Sequence, residues 1–399
     1  MPWALRMVTY AAVLLLIFLT WFGYRYLKSL DRIELSHKMW LKALFFLAAA
    51  LFLAYPVGGH LLYWIGGSFD RNGFPLPFIY LFWYGLVFTG VMLNWLIIHD
   101  ITRPLAVRYV DRPAKEVNKS WAGAFLIMTL VTFIYTSGKM YADTGRMVLH
   151  EIEAGDYMEH SDTGADAEDL NVVHIADLHA DIYTKRDKLS RYIDLVNRAE
   201  PDIVIVSGDL ITSGLDFIRE GARALGEINA PEGVFFVMGD HDYWTGTQHI
   251  ESALVEEGID VLQNENRTIT FNGKEIKITG VTELYSYRVE PQLLDSLLAK
   301  EEGDYFHIVA AHQASERLIR RSQLSEADLL LTGHTHGGQI NIPLFFMPLT
   351  AVMEETPYVR GAYQLERLLL NVNSGLGFTL SPVRYNAPAS VSVLRIALP

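Results

Sequence analysis

Val172-Val173-His174-Ile175-Ala176 is a largely apolar run that ends directly before Asp177-Leu178-His179. Four more apolar runs end in the same way, each before a segment that supplies aspartate or histidine. They are Ile203–Ser207 before Gly208-Asp209, Val234–Met238 before Gly239-Asp240-His241-Asp242, Ile308–Ala311 before His312, and Leu329–Thr332 before Gly333-His334-Thr335-His336-Gly337-Gly338-Gln339. Short, nearly continuous apolar runs are typical of strands buried on both faces. The pattern predicts that these polar residues gather at the carboxyl ends of strands, where open α/β sheets bind ligands.

Helical patterns separate these predicted strands and indicate a layered α/β domain. The predicted helices cover 186–198, 215–225 and 315–324. A hairpin is predicted where Thr268–Phe271 and Ile276–Thr279 flank the turn residues Asn272-Gly273. Further strands near Arg367–Asn373 and Ser390–Ile396 are expected to complete a second sheet. The predicted architecture is two packed mixed sheets flanked by helices.

The five segments share carboxylate and imidazole side chains, which can bind metal ions without sulfur ligands. Carboxylate and imidazole ligands suit a pair of divalent ions such as Mn, Fe, Zn, Co or Ni. The chain contains no cysteine, which excludes disulfides and cysteine catalysis and leaves the cellular compartment open. A lone Asp-x-His pair is usually surface or capping chemistry, but five such segments after five strands favour metal binding.

In this order, the five motifs resemble those of the calcineurin-like metallophosphoesterases. The Gly-His-Thr-His-Gly-Gly-Gln run from Gly333 to Gln339 looks like the bacterial membrane-associated branch of that family, and the resemblance covers roughly Asn171 to the C-terminus. It implies a four-layer sandwich and a binuclear metal centre. One implied metal takes Asp177, His179, Asp209 and His336, and the other takes Asp209, Asp240, His312 and His334. His241 is implied to stand beside the phosphate as a proton donor or charge stabiliser.

Physical reasoning extends these implied roles. A bridging Asp209 can hold two ions about 3.5 to 4 Å apart, and a water shared by the ions is acidified into the attacking nucleophile. Asp240 and Asp242 are expected to fix the tautomer of His241 and raise its basicity. Since the family usually has asparagine where this chain has Asp240, we expect tighter metal binding and a less acidic bound water. A different metal preference and a less negatively charged substrate are the alternatives. Arg384 is expected to attract the phosphate of the substrate.

Residues 1–145 have the composition of a membrane region. Apolar runs cover Val8–Tyr24, Leu41–Ile65, Leu76–Ile98 and Trp121–Ser137, and a spanning helix needs about 20 mostly apolar residues. A cleavable signal peptide is the alternative for the first run, but no small-x-small cleavage site follows it and three further spans do. We therefore predict four spans in residues 1–145, a linker over 146–170 and a phosphoesterase domain over 171–399. The acidic stretch Glu151–Asp169 is interpreted as linker or as a strand followed by linker, and His160 within it is expected to be solvated.

Charge divides the chain at the same place. Residues 1–145 contain 13 Lys and Arg against 7 Asp and Glu, a net of +6, and the remainder has a net of −19. The negative charge of this domain disfavours nucleic acid as a partner, because phosphate backbones bind basic surfaces. Nine basic residues lie in the loops after spans one and three, against four at Arg6, Arg71, Lys139 and Arg146 on the opposite side. The positive-inside rule then places the large domain outside the cytoplasm, at the cell membrane.

Two functions of different class remain open from the sequence. The first is a membrane-tethered hydrolase of a phosphate monoester or diester, which could be lipid-linked, and the second is a membrane sensor or transporter with a regulatory, catalytically weak metal domain. Few charges lie within the spans, which disfavours transport of a polar solute.

The apolar segment Ile342–Leu349 also has two interpretations, a buried connection in the second sheet or an apolar lip that touches lipid.

Overall fold

The computed structural model describes residues 1–67, 74–156 and 168–398, so Arg71, His160 and part of the predicted linker lie outside the described residues. The chain forms two compact units. A helical unit contains Met1–Thr144, Ile340–Thr350 and Leu380–Asn386, and an α/β unit contains Gly145–Gln339, Ala351–Thr379 and Ala387–Pro399. The chain thus returns twice to the helical unit after the α/β unit has begun.

Four long helices build most of the helical unit. They are α1 (Trp3–Arg32), α2 (Lys38–Trp64), α3 (Leu76–Tyr109) and α4 (Ala114–Gly145). Each is long and apolar enough to cross a membrane. At one or both ends each helix includes charged residues outside its predicted apolar run, such as Arg25, Lys38, Arg103 and Lys139. The helix α3 has Pro77 in its first turn, where the fixed φ and the missing N–H of proline suit a helix start.

Polar side chains join these helices near one end of the unit. Arg25 on α1 forms an ion pair with Asp100 on α3, with Nη2 and Oδ2 2.6 Å apart. The indole Nε1 of Trp21 donates to the same carboxylate oxygen at 3.1 Å. Because Asp100 has a cationic partner and a hydrogen-bond donor, its charge is compensated within a largely apolar helix.

The segment Ile342–Leu349 belongs to the helical unit rather than to either large sheet. Strands β10 (Ile342–Leu344) and β11 (Met347–Leu349) form a separate two-stranded antiparallel hairpin among the described residues. The interpretation of this segment as a buried connection in the second sheet is therefore wrong. Its side chains are apolar throughout, so the hydrophobic pattern alone could not tell a sheet core from a membrane environment.

Two six-stranded sheets form the α/β unit. The first has the order β1-β14-β2-β3-β4-β5, and the second has the order β12-β13-β9-β8-β7-β6. The first sheet consists of β1 (Met147–Glu153), β14 (Ala389–Leu398), β2 (Glu168–Ile175), β3 (Ile203–Ser207), β4 (Gly233–Val237) and β5 (Asp260–Val261). The second consists of β12 (Gly361–Leu365), β13 (Leu368–Val372), β9 (Leu329–Thr332), β8 (Tyr305–Ala311), β7 (Lys274–Val281) and β6 (Glu265–Phe271).

Two assignments from the sequence require correction. The strand expected near Ser390–Ile396 lies in the first sheet as β14, antiparallel to β2 and parallel to β1, and not in the second. Residues 147–153, expected in the linker, form the edge strand β1 beside it. Both errors have one physical cause, since the alternation of apolar residues predicts a strand but does not identify the strand with which it pairs.

The sheets pack face to face and helices cover their outer faces. Ile205 and Phe235 of the first sheet share one core with Ile308 and Leu329 of the second. The outer face of the first sheet packs on α5 (Arg186–Asn197), α6 (Ile218–Gly226) and α8 (Thr247–Glu256). The outer face of the second packs on α9 (Pro291–Leu297) and α10 (Glu316–Leu324). The four-layer α/β architecture predicted from the sequence is confirmed.

Candidate metal centre

The predicted ligands lie in tight turns at the carboxyl ends of the strands. Five of the seven have a positive φ: Asp177 (52°), His179 (45°), Asp209 (58°), His334 (69°) and His336 (50°). This region of φ is uncommon for residues with a side chain, and it concentrates at functional sites where the surrounding structure holds it. The turns direct side chains from β2, β3 and β9 toward one another, and the sequence carries no direct signal of this geometry.

A first group of donors comes from the turns after β2 and β9. His179 Nε2 and His336 Nε2 are 3.0 Å apart, and His336 Nε2 is 3.5 Å from Asp177 Oδ1. Ligand atoms that share one ion at 2.0 to 2.2 Å are separated by about 3 to 3.5 Å. These three buried side chains therefore have the spacing of a metal-binding group.

A second group comes from the ends of β4, β8 and β9. His312 Nε2 lies 3.1 Å from Asp240 Oδ1 and 3.2 Å from His334 Nδ1. Asp209 lies between the groups, since its Oδ2 is 3.3 Å from His179 Nε2 and 3.4 Å from His312 Nε2. The structure thus brings all seven predicted ligands together, with one carboxylate oxygen of Asp209 next to both groups.

Backbone and carboxylate partners orient two of the imidazoles. His312 Nδ1 donates to the carbonyl oxygen of Ser207 at 2.7 Å, which leaves Nε2 to face the cluster. His334 has the opposite orientation, with Nδ1 toward the cluster and Nε2 3.5 Å from Glu355 Oε2. Glu355 also accepts a hydrogen bond from the Tyr285 hydroxyl at 2.5 Å. Such partners fix the tautomer and orientation of metal-binding histidines, and no motif in the sequence pointed to Glu355.

His241 lies in the first turn of the short helix α7 (Asp240–Thr245), beside the first group. Its Nδ1 donates to the carbonyl oxygen of Thr212 at 2.5 Å, and its ring lies 4.8 Å from that of His179. The expectation that Asp240 and Asp242 set its tautomer is corrected, because the Thr212 carbonyl does so. Thr212 is distant in sequence, so the motif Gly-Asp-His-Asp could not reveal this contact.

Asp242 instead stabilises the turn that carries Asp209. Its carboxylate accepts hydrogen bonds from the backbone N–H groups of Asp209, Leu210 and Gly239, each at 2.9 Å. Gly239 lies against this turn so closely that a Cβ there would be 2.1 Å from Asp209 Oδ1. A glycine is therefore required here by close approach to a protein carboxylate.

All seven predicted metal ligands lie within a segment that matches a protein-family model. Residues 170–338 match the family model described as calcineurin-like phosphoesterase. This chain carries a calcineurin-like metallophosphoesterase domain. The family resemblance inferred from the five motifs is thereby confirmed, and the family is metal-dependent.

Relatives of this metallophosphoesterase domain occur in bacteria and animals. An uncharacterized metallophosphoesterase of Campylobacter jejuni is 31% identical over 57% of this chain and 59% of the relative. A transmembrane protein with metallophosphoesterase domain of Bos taurus is 27% identical over 56% of this chain and 52% of the relative. A solved hypothetical protein from Thermus thermophilus has a TM-score of 0.36 and 19% identity, covering 58% of this chain and 100% of that one. The chain spans about three fifths of the length of the first curated relatives it matches.

The electrostatics of the metallophosphoesterase site favour bound cations. Burial, reinforced by the Asp209 carboxylate, raises the pKa of Asp177 to about 7, and burial likewise raises the pKa of Asp242 to about 8. Although burial opposes the change, Asp240 and Glu355 raise the pKa of His334 to about 9. Although burial opposes the change, His312 lowers the pKa of Asp209 and of Asp240. Protons on Asp177 and on the imidazoles thus balance these ionised carboxylates, and divalent ions would displace such protons on binding. The donor set and its spacing fit such ions.

His174, within the first apolar run, and Arg384, expected to attract phosphate, are both fully buried. His174 is fully buried in β2, where Nε2 is 2.8 Å from the Ser207 hydroxyl and Nδ1 is 2.7 Å from Asn371 Nδ2. Burial lowers the pKa of His174 to about 3, as for a neutral packed imidazole. Arg384 lies in the helical unit and is 0% exposed. A fully buried guanidinium does not suit the predicted role of attracting phosphate.

Proposed function

We propose that this protein is a membrane-tethered hydrolase of a phosphate monoester or diester with two divalent ions. The observation that carries the proposal is the pair of donor groups that share one oxygen of Asp209. Asp177, His179 and His336 would complete one metal site, and Asp240, His312 and His334 the other. The bound ions would stabilise charge on the phosphate oxygens and acidify the attacking water.

His241 is proposed to protonate the leaving oxygen or stabilise charge on the phosphate. Its Nδ1–H is held by the Thr212 carbonyl, so Nε2 is the atom available for proton exchange. The side chain is largely buried beside the first donor group, which limits competing water. General acid catalysis requires such a positioned imidazole within reach of the reacting group.

A cleft beside His334 is proposed to receive the rest of the substrate. This cavity of about 670 Å³ is lined by Tyr285, Arg288, Gln313 and Tyr358, among others. Arg288 is half exposed, and its Nε is 3.6 Å from Glu283 Oε1. In a domain with a net charge of −19, this guanidinium provides local positive charge for an anionic substrate. The four membrane helices favour a substrate presented at the membrane, such as a lipid-linked phosphate.

The test is turnover by the purified full-length protein. Release of nitrophenolate from a bis-aryl phosphodiester and an aryl phosphomonoester is measured with Mn, Fe, Zn, Co or Ni, after chelation, and in an Asp209→Asn variant. Metal-dependent release that Asp209→Asn abolishes is expected. A folded protein that binds metal without hydrolysing either substrate would contradict the proposal and favour the alternative, a membrane sensor or transporter with a regulatory metal domain. A screen of membrane lipid extracts then identifies the substrate class.

A further inference from the structure

The hairpin formed by β10 and β11 packs against the middle of α3. Ile342 is 7% exposed and shares a small core with Val87, Val91 and Tyr385. Gly90 leaves room for this contact, because a Cβ there would be 2.7 Å from Ile342 Cδ1. Gly90 lies eight residues before Ile98, the last residue of the apolar run of α3. At 1.5 Å per residue it is about 12 Å from that end and about 21 Å from Leu76, well within a hydrocarbon core about 30 Å thick.

Asn94 on α3 binds the backbone of this hairpin through both groups of its amide. Its Nδ2 donates to the Pro343 carbonyl at 2.8 Å, and its Oδ1 accepts from the Phe345 N–H at 2.7 Å. A polar side chain within a membrane helix and non-helical backbone at membrane depth are each unfavourable alone. Here each provides the hydrogen-bond partners that the other needs.

Two residues of the hairpin have no backbone N–H that would require a partner. Pro343 and Pro348 are paired opposite each other in the ladder. Proline has no N–H, so this pair leaves no donor to be satisfied in an apolar medium. Its side chains are those of Ile, Pro, Leu, Phe and Met only, which lack hydrogen-bonding groups of their own.

The tip of the hairpin exposes large apolar side chains. Phe346 is 101% exposed, and Phe345 and Met347 are exposed beside it. The helices of the same unit also expose apolar side chains, among them Leu44, Phe46, Ile127 and Ile134. Burial of apolar surface is favourable by about 25 cal/mol per Å², so a tip of this composition is more stable in hydrocarbon than in water.

We propose that residues 342–349 form a re-entrant membrane hairpin, held by Asn94, whose tip contacts the acyl chains of the bilayer. The inference rests on packing within the helical unit and does not require hydrolysis. Five residues separate His336 from Ile342 in the sequence. The stretch of chain that supplies two predicted metal ligands therefore continues directly into this hairpin.

The test uses the natural absence of cysteine. Phe346→Cys is labelled with an environment-sensitive fluorophore, and the full-length protein is reconstituted into phosphatidylcholine vesicles. Lys274→Cys, at an exposed position in β7, is the matched control. We expect nitroxides on the acyl chains to quench the label at position 346 and iodide in water not to quench it, with the reverse at position 274. Quenching by iodide at position 346, or by neither quencher, would overturn the proposal.

A second variant tests the contribution of Asn94. Asn94→Leu in the Phe346→Cys background removes both hydrogen bonds while keeping an apolar helix surface. We expect loss of acyl-chain quenching at position 346, because the Pro343 carbonyl and Phe345 N–H would remain unsatisfied in hydrocarbon. Unchanged quenching would refute the role of Asn94. Helix content and detergent-resistant folding, compared with the parent, distinguish a released hairpin from an unfolded protein.

Discussion

His241→Ala should slow hydrolysis strongly while leaving metal content near that of the wild type. Nδ1 of the imidazole donates to the Thr212 carbonyl, which leaves Nε2 as the atom available for proton exchange. Removal of the ring therefore eliminates one proton-transfer group. The contact to Asp209 is made by the backbone N–H of His241 at 3.0 Å and survives the substitution. Loss of an acid or base usually slows turnover by about 10² to 10⁴, which corresponds to about 2.7 to 5.4 kcal/mol in the barrier.

The assay compares elemental analysis with steady-state turnover for His241→Ala and Asp209→Asn. Asp209→Asn should lose metal and activity together, because its carboxylate oxygen adjoins both donor groups. His241 also lies within ligand distance of His179 and Asp209. Equal metal loss in the two variants would therefore refute the proposed role and make His241 a ligand.

Two controls separate proton transfer from packing. The His241 ring lies 4.8 Å from that of Trp244, which is largely exposed, so Trp244→Ala should reduce turnover less than His241→Ala. If His241 protonates the leaving oxygen, its loss should matter less for a nitrophenyl ester than for an alkyl ester, since nitrophenolate leaves without a proton. Equal defects on both esters would indicate charge stabilisation instead.

Asp240→Asn should retain activity and shift the pH optimum downward, because a less anionic ligand leaves the bound water more acidic; an inactive variant with normal metal content would give Asp240 a proton-transfer role. Glu355→Gln should weaken metal binding by about 10- to 100-fold in a metal titration, and unchanged affinity would mean that the carboxylate does not support His334. Between pH 6.5 and pH 3 the unfolded chain binds a proton at His174 that the folded chain does not, so stability falls as the pH falls, by about 2 kcal/mol at pH 5. Denaturant unfolding of wild type and His174→Gln at pH 7.5 and pH 5 should show a smaller pH dependence in the variant. If the large domain lies outside the cytoplasm, as the positive-inside rule predicts, protease added to intact spheroplasts should digest the chain beyond Arg146 while a cytosolic control survives; complete protection would place that domain in the cytoplasm.

Local sequence patterns were sufficient for the layered fold and for the set of candidate ligands. Each apolar run ends close to the residue where its strand ends, as for Ile203–Ser207, which forms β3 with the same bounds. The chemistry of a ligand is likewise a property of the residue itself, so Asp and His after each strand can be recognised without knowledge of their neighbours. The four long apolar helices could be predicted for the same reason, since length and apolarity are properties of one continuous segment.

Contacts between distant parts of the chain were decided only by tertiary structure. Pairing placed β14 next to β2 in the first sheet, and the apolar segment after Gln339 could be assigned to the helical unit only from its packing on α3. The partners that orient the imidazoles, Thr212 for His241 and Glu355 for His334, are separated from them by 29 and 21 residues. Hydrophobic periodicity records whether a side chain is buried, but the identity of its neighbour depends on how the elements pack.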